Sequence, residues 1–127
     1  MTERRPTTTS KGPADWFTGD VWLDALSAGQ SAPMAISAVH FSPGARTAWH
    51  RHAGGQTLWV LEGEGRVQAR DEAVLTIRAG DVITARPNEE HWHGAAPGSY
   101  LVHLAVSVGA TDWLDAVSDE DYASATA

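Results

Sequence analysis

The chain has no cysteine. Disulfides, a thiolate nucleophile and a cysteine zinc site are therefore excluded, and the redox compartment is left open. Basic residues are scarce: nine Lys and Arg stand against sixteen Asp and Glu, for a net charge of −7. Phosphate recognition needs a basic face, so no nucleic-acid partner is expected, nor an anionic membrane surface. Long apolar runs are missing as well. No stretch approaches the ~20 apolar residues of a membrane span. The opening MTERRPTTTSKG carries charge but lacks the apolar core of a secretory signal. The expectation is a soluble, cytoplasmic protein with a small-molecule partner. Its 127 residues suffice for one domain with a real core.

What is present is a succession of short β-type segments between Gly and Pro turns. Ala35–Phe41, Gln56–Leu61, Val82–Ala85 and Tyr100–Val108 read as strands rich in β-branched and aromatic residues. Trp16–Ala25 reads as strand with a turn at Gly19-Asp20, Thr47–Arg51 and His91–Ala95 as short strands, and Gln30–Pro33 as loop. Glu62–Gly65 reads as a hairpin turn before strands at Arg66–Ala69 and Ala73–Ile77. Strands at this spacing predict an all-β sandwich or barrel. The expected division is a flexible N-terminal tail over 1–14, a barrel over 15–110 and a helical tail over 111–127. In that tail Thr111 is a candidate N-cap, with Trp113, Leu114 and Val117 at helical spacing, and Ser118 a candidate cap for a second turn.

Four of the six histidines fall in two pairs, His50/His52 and His91/His93. Residues i and i+2 of a strand share a face, so each pair can present two imidazoles together. Imidazole is the commonest protein metal ligand near neutral pH. A lone strand histidine is more often a hydrogen-bonded polar residue; two such pairs beside Gly and Pro turns point to a metal ion. Gln56 follows the first pair at four residues and offers a neutral carbonyl oxygen.

These residues resemble the two motifs of the cupin superfamily. Gly44, His50, His52, Gln56 and Gly63 fit G-x5-H-x-H-x3,4-E-x6-G, with Gln56 where Glu is usual. Gly80, Pro87 and His91 fit the second motif, with Asn88-Glu89-Glu90 where a glycine is usual. Over almost the whole chain, KGPADWFTG, PGARTAWH, GQT, HWHGAAP and DWLDAVSDEDY are similar to small single-domain manganese cupins. That group includes bacterial hydroxynitrile lyases and carboxymuconolactone-decarboxylase-related cupins. The resemblance implies a jelly-roll barrel with a short C-terminal helix, a homodimer or higher homo-oligomer, and metal ligands His50, His52, Gln56 and His91. It also implies that His93 and His103 are pocket histidines outside the ligand set.

The resemblance implies manganese; the N and O donors also suit Fe, Co, Ni or Zn. Three imidazoles and an amide are all neutral, so the full +2 charge of the ion stays in the pocket and strengthens its Lewis acidity. The implied reaction is cleavage or formation of a cyanohydrin of mandelonitrile type, with His93 or His103 moving the proton. His103 could equally orient a ligand. Ser37, Val39 and Ser107 are candidate pocket residues; relatives often carry glutamine at the position of Ser107. His40 should face outward. Arg46 could meet an anion at the pocket mouth or form a surface salt bridge. Trp49, Trp59 and Trp92 alternate out of phase with the ligands and should face away from the metal. Two other readings stay open: a metal-dependent dioxygenase or C–C-cleaving cupin, and a non-catalytic cupin that binds a small anion.

Overall fold

The computed structural model describes residues 8–31 and 33–124, with backbone alone over 28–31. The parts of the expected tails over 1–7 and 125–127, and residue 32 of the expected loop, lie outside the described residues. Among the described residues, twelve strands and one short helix run in order: β1 Thr9–Lys11, β2 Phe17–Thr18, β3 Val21–Ser31, β4 Met34–Phe41, β5 Arg46–Thr47, β6 His50–His52, β7 Gln56–Ala69, β8 Leu75–Arg78, β9 Val82–Ala85, β10 His91–Ala95, β11 Leu101–Val108, β12 Thr111–Trp113 and α1 Asp119–Ala123. All pairings are antiparallel. One wall runs β1-β3-β4-β11-β7-β9; the other runs β2-β5-β10-β7-β8, with β6 between β10 and β12.

β7 belongs to both walls. Gln56–Glu62 pairs with β11, and Glu64–Ala69 pairs with β10 and β8. The Glu62–Gly65 pattern predicts a hairpin reversal; the chain instead bends there and continues as one strand. Gly63 makes the bend, with φ +82, and a Cβ at this point would run into the Tyr100 carbonyl. Only glycine combines that left-handed backbone with so close an approach. The Asn88 turn shows the same logic. Asn88 takes φ 62, a conformation asparagine tolerates better than most residues, and its N–H bonds to His52 O at 2.8 Å. It thus supplies the backbone shape of the missing glycine and ties the second histidine segment to the first.

Three further expectations are corrected. Thr47–Arg51 is two strands, because Ala48 and Trp49 turn aside to bond with Trp16 O and Asp115 O. Gln30 and Ser31 extend β3 rather than joining the loop. Thr111 caps no helix: Thr111, Asp112 and Trp113 pair with His52, Arg51 and His50. The helix starts later, where the Ser118 side chain accepts from the Asp121 N–H.

The main core packs between the walls, with Val21, Phe41, Leu58, Val60 and Leu101 among its buried members. A smaller cluster of Trp49, Trp92, Val117 and Tyr122 seats α1 on the outside. Arg46 joins that outer cluster and does not reach the pocket. It is buried, donates to Val117 O at 3.2 and 2.8 Å, pairs with Asp119 at 2.7 Å and lies 4.6 Å from the Tyr122 ring. The break at Ala48-Trp49 destroys the parity that would have put Arg46 beside His50, and Thr47 lines the cavity instead.

Candidate metal centre and active site

Strand register brings the site together. His50 and His91 are direct cross-strand partners, with ring centroids 4.4 Å apart. His52 follows two residues along β6, and His93 two along β10. Gln56 opens β7 opposite Ser107 of β11. His103 lies on the same inward face of β11, four residues before Ser107 and opposite Val60. His50, His52, Gln56, His91, His93 and His103 are all buried.

Hydrogen bonds fix which atoms face inward. His50 Nδ1 donates to Ala48 O at 2.8 Å, and His91 Nδ1 donates to Glu89 O at 2.9 Å. A carbonyl oxygen only accepts, so each neutral ring keeps its proton on Nδ1 and leaves Nε2 bare. Burial, reinforced at His50 by the neighbouring His91, lowers the pKa of both rings and keeps them neutral. The Gln56 Nε2 donates to Ser107 Oγ at 3.0 Å, which turns Oε1 inward, 2.9 Å from His91 Nε2. Two bare acceptors thus face each other with no proton between them. An amide oxygen and a bare imidazole nitrogen at this spacing can share a cation. Donors ~2.1 Å from an octahedral ion lie roughly 3 Å apart along each edge, which is the spacing found here.

His52 stands beside the group, its ring 5.0 Å from that of His50 and 5.7 Å from that of His91, outside the trio of His50, His91 and His93 whose donor atoms lie closest together. Its Nδ1 lies 2.9 Å from Thr111 Oγ1, and its Nε2 is buried without a partner. Burial lowers its pKa to about 4. His93 also approaches: donor atoms of His50, His91 and His93 lie within 4.8 Å of one another. Its Nδ1, however, is engaged by His103 Nε2 at 2.9 Å, while His93 Nε2 and His103 Nδ1 have no partner. Burial lowers the pKa of both, that of His103 to about 4. The donor set, rich in nitrogen with one amide oxygen and no sulfur, fits a divalent transition metal.

Beside these donors is a cavity of about 220 Å³. Ser37, Val39 and Ser107 line it, as do Thr47, Ala105, Leu23, Phe17, Trp16 and Trp113. His103 is absent from its lining and touches His93 from behind. The Trp16 and Trp113 rings stack at 5.0 Å, and Trp113 lies 4.7 Å from His50. Sequence reasoning missed Thr111, Trp113 and Trp16. The alternation of Thr111 and Trp113 about Asp112 was the available signal. His40 faces outward, 2.9 Å from Asp24. Trp59 is 50% exposed, and Trp49 and Trp92 are buried under α1, so all three point away from the histidines.

Two antiparallel walls curled around a buried histidine–amide cluster define a small barrel with a candidate metal site. The chain belongs to the cupin family: residues 37–107 match the Cupin domain. Its relatives are more particular. It is 50% identical over 117 residues to the (R)-mandelonitrile lyase of Granulicella tundricola, spanning 88% of this chain and 89% of that protein. A solved cupin-like protein from Thermotoga maritima is 43% identical and superposes with TM-score 0.89 over 92% of each chain. A polyketide cyclase from Streptomyces resistomycificus shares the fold alone, at 18% identity and TM-score 0.76 over 96% of this chain and 91% of its own.

Proposed function

We propose that this protein is a metal-dependent carbon–carbon lyase that cleaves and forms cyanohydrins of the mandelonitrile type. The observation that carries the proposal is the 50% identity to a mandelonitrile lyase, together with a buried cluster of bare imidazole nitrogens and an amide oxygen. His50, His52, Gln56 and His91 are the ligands in this reading, and manganese is the ion. That ion supplies Lewis acidity to the substrate hydroxyl.

The residues around it do the rest. The aromatic wall of Trp113, Trp16 and Phe17 accepts the aryl group, while Ser37, Val39 and Ser107 bound the opposite side of the cavity. His93 is the proton carrier. Its neutral ring, aimed into the cluster and braced by His103, takes the hydroxyl proton. The C–C bond breaks with its electron pair leaving on cyanide, the oxygen electrons form the aldehyde carbonyl, and His93 returns the proton to give hydrogen cyanide. His103 is a positioning residue, since it touches His93 and not the cavity.

The proposal is tested by incubating purified protein with racemic mandelonitrile while following benzaldehyde and dissolved oxygen. Benzaldehyde and cyanide in equal amounts, with no oxygen uptake, are expected. Oxygen consumption would favour a dioxygenase, and ligand-dependent thermal stabilisation with no turnover a binding protein; either would overturn the lyase reading. A homodimer belongs to the same proposal. The outer face of the first wall exposes Trp59 beside Val82, 64% exposed, in directly paired strands, and such apolar patches mark interfaces. A monomer in sedimentation equilibrium would remove that part.

A further inference from the structure

The matched domain ends at residue 107, yet the first histidine pair is held from beyond it. β12 pairs with β6 so that Thr111 stands opposite His52 and Trp113 opposite His50. Thr111 Oγ1 lies 2.9 Å from His52 Nδ1, and the Trp113 ring covers His50. We propose that Thr111 is a positioning residue for the metal. Its hydroxyl oxygen accepts from His52 Nδ1–H and so leaves Nε2 bare for the ion. The inference rests on the metal-site reading given above.

The chemistry of the neighbouring rings supports this tautomer. His50 and His91 are forced into the Nδ1–H form by backbone carbonyls. His52 has no carbonyl at that position. A hydroxyl can donate as well as accept, so the tautomer of His52 depends on which way the Thr111 proton points. His52 Nε2 is buried and partnerless. A proton placed there would occupy the position the ion needs, whereas a bare nitrogen is a ligand. Partners of this kind typically change metal affinity 10–100-fold.

Thr111→Val and Thr111→Ser separate the hydroxyl from the strand, because valine keeps the β-branched shape. Manganese(II) affinity is read by competition with a chromogenic chelator, and metal-free Tm is recorded alongside. Wild type should bind one ion per chain, Thr111→Val about 10–100-fold more weakly with little change in Tm, and Thr111→Ser close to wild type. Equal affinity in wild type and Thr111→Val would overturn the proposal. A second measurement needs no variant: nitrogen-15 shifts of the His52 ring in metal-free wild type. The Nδ1–H tautomer is expected, and the Nε2–H tautomer would overturn the assignment even if Thr111→Val failed to fold. Wild type that binds no metal at all would instead defeat the metal-site reading itself.

Discussion

His50 and His91 stand opposite each other on paired strands, and their outer nitrogens are both held by backbone carbonyls. Side chains set this rigidly have little to reorganise when a ligand or substrate arrives. Two nearby histidines are held alike: His52 is tied through Nδ1 to Thr111 and His93 through Nδ1 to His103, and each has a buried, bare Nε2. In the proposed site, which follows the motif positions, His52 is the ligand and His93 the proton carrier. His52→Ala should therefore lose both stoichiometric metal and activity. His93→Ala should keep the metal and lose ~10²–10⁴-fold in turnover, the usual worth of matched acid–base help. Metal content by elemental analysis beside the turnover rate checks this, and metal loss in His93→Ala would make His93 a ligand.

The elements explain what could and could not be read from sequence. Strands β4, β7, β9, β10 and β11 announce themselves by β-branched and aromatic residues between Gly and Pro turns, and the HxH spacing reads directly as one strand face. The hairpin expected at Glu62–Gly65 shows the limit: a glycine can reverse a chain or merely bend it. The close approach of Tyr100 that decides between them comes from far along the chain. β12 was hidden differently. Trp113, Leu114 and Val117 fit one helical face, and only pairing with β6 decides for strand. The C-terminal helix itself is held by a buried cation that local patterning cannot reveal. Arg46 binds Val117 O, Asp119 and the Tyr122 ring at once. Arg46→Met keeps much of the packing volume and removes those bonds. Hydrogen bonds to charged groups are worth about 1.5–3 kcal/mol, so urea unfolding should show a loss of that order. A change below about 0.5 kcal/mol would show the contact to be incidental.

At the scale of the whole molecule, His50, His52, His91, His93 and His103 form a buried set whose pKa values are all lowered, chiefly by burial. Unfolded histidine titrates near 6.5, while His52 and His103 fall to about 4 in the fold. Between those values the unfolded chain binds more protons than the native one, so stability rises with pH and is lost as pH falls. Each fully displaced histidine contributes about 1.4 kcal/mol per pH unit within that window. Metal-free protein should hold a steady Tm from about pH 8 to 7 and lose it steeply between roughly pH 6.5 and 4. A flat or rising Tm over that range would mean that these rings are not buried together.

One ribbon of backbone, Gln56–Ala69, is woven into both walls and crosses between them at Gly63. Peeling either wall strips bonds from the other, so the two walls should open together. The imidazoles suspended between the walls are therefore present as a complete set or dispersed altogether. Damage far from the cavity should reach it as a smaller population of intact molecules, each still fully competent, and not as a uniformly weakened site.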